Sequence, residues 1–286
     1  PAERAETHYQ RALALLAGGD VARADLEFRN VFRLDGDHAA ARLAYAGMLR
    51  DQGRDDEAMS QLLRLVEQDR TNLAGQTALA ALALELGDFD TGALATADAF
   101  ALAPGDPAVR ALKATVDFRK GGEARAGAVA MAEAVVAEKP GSVPARMVLV
   151  ADRLAAGAPA EALARIEAGI ALAPGDEGLH LARLATLDVL GDGDATGAEL
   201  ARMNDLFPEN AAVRAALVSW HLDRDDPAAA EAVLRAAAAR TPADPAPALT
   251  LVRFLSGTGG PAAARPELDA RVPAAAGPAP SLRPPA

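Results

Sequence analysis

Residues 73–106, LAGQTALAALALELGDFDTGALATADAFALAPGD, decide the fold of this chain. They contain two apolar segments of helical length, with Leu-Gly-Asp between them and Ala-Pro-Gly-Asp at the end. Glycine ends the first helix because it adopts a left-handed backbone at little cost, and the following aspartate can cap the second helix. Proline then stops the second helix. The stretch therefore predicts a helix–turn–helix unit.

This unit recurs along most of the chain. The elbow between the two helices returns at steps of 34 residues with a single step of 36, and the exit of each unit returns with the same steps. The single step of 36 residues indicates an insertion around Gly121-Gly122. Because elbows and exits recur with the same period, the sequence predicts a repeat protein. The elbows are Gly19, Gly53, Gly87, Gly121, Gly157, Gly191, Asp225 and Gly259. The exits are Gly36, Arg70, Pro104, Pro140, Pro174, Pro208 and Pro242.

Composition narrows the class of protein. The chain is 51% hydrophobic but only 3% aromatic, and alanine-rich segments favour closely packed helices. Valine and isoleucine nowhere alternate with polar residues over the length of a strand, so an all-α fold is expected. The net charge of -11, without a basic stripe, argues against nucleic-acid binding. The absence of cysteine excludes disulfides and thiol chemistry, and no apolar run approaches a membrane span.

The period and its marker residues resemble those of tetratricopeptide repeats over residues 5–244. The resemblance implies a right-handed α-solenoid of about seven helix pairs with a capping helix. Gly92 and Thr196 depart from the family pattern, because they replace the alanine of the second helix. The small position of the first helix is filled by Ala12, Ala46, Ala80 and Ala114, and the alanine position of the second by Ala24, Ala58, Ala128, Ala162 and Ala230.

The end of the chain departs from the repeat. Residues 245–256 predict a capping helix, and Pro266 should break any second helix after it. The proline-rich and alanine-rich remainder predicts a disordered tail or linker. The predicted domains are thus a solenoid with terminal caps over residues 1–256 and a tail over 257–286.

No catalytic or metal-binding pattern stands out. None of the four histidines has a second histidine three or four residues further on, and neither a phosphate loop nor a nucleophile elbow is present. Asp188, Asp192 and Asp194 suggest a calcium loop only superficially, because no glutamate closes it. We therefore predict no enzymatic activity, no metal and no cofactor.

One polar position recurs in the first helices. We call its arginines the arginine ladder, and two interpretations of it remain open. The guanidinium groups could donate to carboxylates of a partner, or their stems could cover apolar surface while their heads pair within the chain. The ladder consists of Arg42, Arg110, Arg146 and Arg214, with Gln76, His8 and His180 at the same position of other repeats.

In the family that this chain resembles, ligands lie on a concave groove lined by first helices. The corresponding positions here form a mildly apolar surface, which indicates binding of a helical or extended peptide. Several of the leucines could instead belong to the core, which is also expected of Trp220. The predicted groove residues are Tyr9, Leu13, Leu43, Arg50, Thr77, Leu84, Ala111, Phe118, Met147, Leu154, Leu181 and Leu222.

These features predict a protein–protein scaffold that binds a peptide or protein. The opening, residues 5–46, also resembles bacterial envelope tetratricopeptide lipoproteins, including those linked to exopolysaccharide export. That resemblance implies a periplasmic or envelope location, with a lipid-bearing cysteine upstream. The alternatives are a cytosolic adaptor or holdase of the same fold, and the interaction domain of a larger enzyme or export machine.

Overall fold

The computed structural model describes residues 2–240 and 244–271, which form fifteen α-helices and no strand. The chain divides into two compact units, Pro1–Pro174 and Gly175–Ala286, which we call unit 1 and unit 2. The all-α fold and the succession of helix pairs confirm the prediction from the repeat period.

Unit 1 contains five helix pairs. Odd-numbered helices are the first helix of each pair and even-numbered helices the second. They are α1 (Ala2–Ala17), α2 (Val21–Leu34), α3 (Ala39–Asp51), α4 (Asp55–Gln68), α5 (Leu73–Glu85), α6 (Phe89–Leu102), α7 (Pro107–Lys120), α8 (Ala124–Glu138), α9 (Val143–Ala155) and α10 (Pro159–Ile170).

Unit 2 contains two further pairs and a final long helix. Its described residues form α11 (Glu177–Leu190), α12 (Gly193–Leu206), α13 (Ala211–Leu222), α14 (Pro227–Arg240) and α15 (Pro245–Arg271).

Seven of the eight predicted elbows have a left-handed backbone; at the eighth, the left-handed residue is Gly260 and not Gly259. Positive φ angles occur at every predicted elbow from Gly19 to Gly191, and Asp225 is the one described non-glycine residue with a positive φ, at 56°. At the insertion, Gly121 and Gly122 are both left-handed, with φ of 71° and 58°. The added residues are therefore absorbed in the turn, and the helix pairs on both sides keep their length.

Side chains cap most of the predicted helix starts. The aspartate that follows the elbow accepts a backbone amide proton at the start of α2, α6, α12 and α14; these residues are Asp20, Asp88, Asp192 and Asp226. After the repeat exits, the next helix is capped in the same way by Asp106, Asp176, Asn210 and Asp244. Ser142 is the exception, because Pro144 at the second helical position removes one of the two amides that such a cap usually binds.

Packing within unit 1 places the first helices side by side. Each of α1, α3, α5 and α7 contacts the next first helix, whereas the described second helices contact only their sequence neighbours. Small residues allow the helices to approach each other closely, because the alanines at the small position of the first helices are fully buried; these are Ala12, Ala46, Ala80 and Ala114. One core runs from Ala5 in α1 to Leu112 in α7, and a second joins α7, α8 and α9. First helices therefore line one side of unit 1.

The final helix corrects the prediction for the tail. The structure is helical through Arg271, so it places residues 257–271 of the predicted tail in a helix, and residues 272–286 lie outside the described part. Gly260 interrupts the helix with φ 74° and ψ 178°, and Pro261 begins the new helical segment, a position where its missing amide is harmless. Pro266 does not end this segment, because burial of Ala264 against Leu234 and Leu251 offsets the lost hydrogen bond. In the described part, no helix combines the length and apolarity that a bilayer crossing needs.

Candidate functional site

The predicted groove residues of unit 1 lie on α1, α3, α5, α7 and α9, and we call this surface the first-helix face. Most of them are partly buried, Arg50 and Leu154 are exposed, and Ala111 is buried in the core of α7, α8 and α9. Ala111 therefore does not belong to the surface. The remaining members are Tyr9, Leu13, Leu43, Arg50, Thr77, Leu84, Phe118, Met147 and Leu154.

The N-terminal end of the face is ordered by contacts between α1 and α3. The ring of Tyr9 packs against the ring of His38 at 5.0 Å between centroids. His38 in turn contacts the carboxylate of Glu6 at 3.2 Å, and its Nδ1 caps α3 by accepting from the Ala41 amide. These contacts hold the ring of Tyr9 in place. The N-terminal end of the first-helix face therefore has a fixed aromatic side chain.

The centre of the face depends on a glycine. A Cβ added to Gly92 in α6 would lie 2.7 Å from Cγ of Leu84 and 3.2 Å from its backbone nitrogen. The contact at 2.7 Å is shorter than a real Cβ makes, so any larger residue at position 92 would require the Leu84 side chain to move. This explains why Gly92 replaces the family's alanine. Leu84 packs into the space and leaves one side partly exposed on the face.

The charged groups near the face are already paired. Arg50 Nη2 lies 2.6 Å from Glu85 Oε2, which links α3 to α5. Arg125 stacks on Phe118 at 4.8 Å and lies 3.0 Å from Asp152 on α9. The face therefore offers apolar area and few free charges.

Asp152 is the acceptor that holds this second cluster together. Hydrogen bonds from Arg153 and then from Arg125 lower its pKa. Sequence reasoning did not predict Arg125 or Asp152 as part of the site. They come from α8 and α9, and their meeting depends on the packing of neighbouring repeats, which residue spacing alone does not specify.

In unit 2, Leu181 and Leu222 are exposed on α11 and α13, at 49% and 41%. Trp220 near the end of α13 is partly buried, and its Nε1 donates to the Gly193 carbonyl at 3.0 Å. Arg224 covers its ring at 4.1 Å. Trp220 thus packs against α12, in agreement with a packing role.

The arginine ladder holds turns of the chain. Arg42, Arg146 and Arg214 each donate to the carbonyl of the residue six positions earlier, at the exit of the preceding repeat. Gln76 makes the same bond to Arg70 at 3.2 Å. Arg110 instead pairs with Glu138 on α8. This geometry favours the structural interpretation of the ladder; binding of partner carboxylates stays a prediction.

Two histidines at the ladder position bond across their own helix pair. His180 Nδ1 lies 2.5 Å from Glu199 Oε1, both side chains are fully buried, and Arg183 binds the other carboxylate oxygen. His8 and Glu27 form the corresponding pair in the first repeat, at the same spacing of 19 residues. These partners were not predicted from the sequence, although the shared spacing of 19 residues was a signal that could have revealed them.

The three aspartates of the superficial calcium loop do not form one. Asp192 caps α12, and Asp194 lies 3.0 Å from Arg224. Among residues 2–240 and 244–271, no group of three or more potential ligands is arranged to hold a metal ion.

Solved structures share this arrangement of helix pairs. A tetratricopeptide repeat protein from Parabacteroides merdae aligns with a TM-score of 0.56 and 15% identity, over 82% of this chain and 92% of its own. PilW, a widely conserved type IV pilus biogenesis factor, aligns at 0.54 and 16%, over 74% and 98%. The APC/C hetero-tetramer Cut9-Hcn1 aligns at 0.58 and 16%, over 75% of this chain and 42% of that chain. No protein-family model and no curated protein matches the sequence.

These identities are low, so the similarity shows the fold and nothing finer. The fold is that of tetratricopeptide repeats, an all-α solenoid in which each helix pair buries its apolar side against its neighbours. The fold predicted from the spacing of the elbows and exits is thereby confirmed.

Proposed function

We propose that this chain is a non-catalytic scaffold that binds an apolar segment of a protein partner on the first-helix face of unit 1. The observation that carries the proposal is that each first helix of unit 1 has a partly exposed apolar side chain at a predicted groove position, and we call this set the apolar row. Tyr9, Leu43, Leu84, Phe118 and Met147 keep part of their surface open there. Such a row suits the apolar side of a helix or alternate side chains of an extended segment.

The charge distribution supports an apolar ligand over an acidic one. Arg50 and Arg125 are held by carboxylates of the chain itself, so a partner carboxylate would have to displace an existing ion pair. The net charge of -11 also opposes an acidic segment at long range. We therefore expect a partner segment with apolar anchors and neutral or basic flanks.

Site-specific photocrosslinking tests the face directly. A photoreactive residue at position 50, 84 or 118 should crosslink the partner in cells. The same residue at Leu26 on α2 or Leu94 on α6 should not, although these side chains are 60% and 67% exposed. Crosslinks from the second helices alone would refute the proposal.

A substitution at an exposed position tests the role of the apolar row without disturbing the core. Leu154→Glu should weaken partner binding about tenfold, because it puts a charge into an apolar contact. Leu94→Glu is the matched control, since it introduces the same charge on α6, a second helix that does not belong to the first-helix face. Equal binding by wild type and Leu154→Glu would remove the apolar row from the interface.

We further propose that this scaffold works in the bacterial cell envelope, as the resemblance of residues 5–46 to envelope lipoproteins suggests. Expression of the complete reading frame in a bacterium, followed by fractionation, should place the protein in the envelope fraction. Recovery in the cytoplasm would instead favour the adaptor or holdase alternative.

A further inference from the structure

Arg42 carries a buried charge without a carboxylate partner. The residue is only 3% exposed, and its direct acceptors are neutral: Gln61 Oε1 at 2.8 Å and the carbonyl of Gly36. The guanidinium also lies over the ring of Phe32 at 5.0 Å. Its Nε is buried and has no hydrogen-bond partner in the described part of the chain. A buried cation with neutral partners is unfavourable unless a counter-ion is added.

A second cation, Arg64, adds to the positive charge that is not neutralised at Arg42. Burial, followed by repulsion from Arg64, lowers the pKa of Arg42, and the attraction of Asp37 is the smaller opposing effect. Arg64 is exposed on α4, and no carboxylate in the described residues forms an ion pair with it. Two guanidinium groups therefore approach each other with incomplete neutralisation.

Both arginines line one cavity of about 400 Å³ beside the turn that joins α2 to α3. Its other walls are Phe32, Gly36, Gln61, Glu67 and Gln68. The Gln61 oxygen is used by Arg42, so its amide nitrogen is available as a further donor. Glu67 is the one carboxylate of the lining and should oppose an anion.

We propose that this cavity binds a phosphate-type oxyanion between Arg42 and Arg64, with the amide of Gln61 as a third donor. A dianionic phosphate matches two guanidinium charges, whereas a single carboxylate matches only one. Guanidinium groups bind such oxyanions through pairs of parallel hydrogen bonds. The site does not depend on partner binding at the first-helix face.

Thermal unfolding of the full chain in inorganic phosphate tests the proposal. At constant ionic strength, the midpoint should rise with phosphate and saturate, while chloride gives no such rise. Arg64→Gln should weaken the apparent affinity about tenfold or more. Arg64 is exposed, so this variant is expected to fold. Glu67→Gln should tighten binding, because it removes the one repulsive charge of the lining.

Repeat five offers a matched control. Arg146 occupies the same ladder position, is similarly buried, and has Arg165 beside it. Among the described residues, however, Arg42 has a buried nitrogen without a hydrogen-bond partner and Arg146 has none. Arg165→Gln should therefore leave the phosphate response of the wild type unchanged. An equal rise in chloride and phosphate, or a full phosphate response in Arg64→Gln, would overturn the proposed site.

Discussion

At the level of single residues, Tyr45 shows how one hydroxyl group joins neighbouring helices. Its Oη donates to Asp25 Oδ1 at 2.7 Å, and Asp25 also holds Arg29 at 2.8 Å. The ring packs on Phe28 and Phe32. Tyr45→Phe should lower the free energy of unfolding by about 1–2 kcal/mol, measured by urea denaturation, because a charged acceptor loses its donor. Tyr9→Phe is the control and should change it by less than about 0.5 kcal/mol.

The same hydroxyl predicts a pH dependence. Burial, and then the hydrogen bond to Asp25, raises the pKa of Tyr45, so folding favours the neutral phenol. Its contribution to stability is complete below the pKa of an unfolded tyrosine, about 10, and is lost as the pH rises through the higher folded value. A tyrosinate absorbance titration should show a late component that Tyr45→Phe removes. Loss of a component at the ordinary tyrosine pKa would contradict the assignment.

Glu199 in unit 2 is a carboxylate whose side chain is fully buried. Glu199→Ala should lower the free energy of unfolding by about 3 kcal/mol, because it removes a buried carboxylate that accepts from both His180 and Arg183. Glu27→Ala removes the corresponding carboxylate beside His8, where both side chains are partly exposed, and should lower it by about 1 kcal/mol or less. Equal losses, measured by urea denaturation, would show that burial does not decide the effect.

These residues also mark what the sequence could predict. The ladder position was visible from the period, but the partners of its side chains were not. Arg42, Gln76 and Arg146 bond to carbonyls six residues earlier, whereas His180 bonds to a carboxylate nineteen residues later. Which acceptor is used depends on the local helix pair. Spacing therefore predicts that a position is shared, and the structure is needed to assign what it does.

Between helices, Trp220 locks α13 against α12. A Cβ added to Gly197 would lie 2.1 Å from Trp220 Cζ2. Gly197→Ala should therefore push the indole away and lower the free energy of unfolding by about 1–3 kcal/mol. Gly127→Ala is the control, because nothing lies within 4 Å of an added Cβ there, and the change should stabilise α8 by about 0.5–1 kcal/mol. Trp220 is the only tryptophan, so its fluorescence reports the displacement, and an unchanged spectrum would contradict it.

The last helix shows why element ends are harder to predict than element cores. The sequence predicted a capping helix that ends at residue 256 and a break at Pro266, whereas the backbone departs from a helix at Gly260 and for one residue. The segment after it stays helical because its apolar side finds a surface. Ala264 joins Leu234 and Leu255 in one core, and Glu267 lies 3.1 Å from Arg235 on α14. Local preference was overridden by tertiary contacts that composition does not reveal.

For the molecule as a whole, the period was sufficient to predict the fold. The elbows and the exits recur with the same period, and this period predicts a series of helix pairs. Such pairs must stack, since each can bury its apolar side only against a neighbour. The surface was less predictable. Leu84 and Leu154 both fell on the predicted groove, yet Leu84 is held against Gly92 while Leu154 is exposed. Degree of exposure follows from the packing partner, which the period does not specify.

The division into two units leads to a prediction for a fragment. Unit 1 has five consecutive helix pairs and its own cores, and three or more repeats are enough for stability in repeat proteins. A fragment of residues 1–174 should therefore fold alone, with a helical circular dichroism spectrum and a cooperative thermal transition. A fragment of residues 1–155 lacks α10 and leaves the apolar side of α9 uncovered, so its transition should fall at a lower temperature and its tendency to aggregate should rise. If the longer fragment melted without cooperativity, unit 1 would not be an independent folding unit, and equal transitions for the two fragments would show that α10 does not stabilise it.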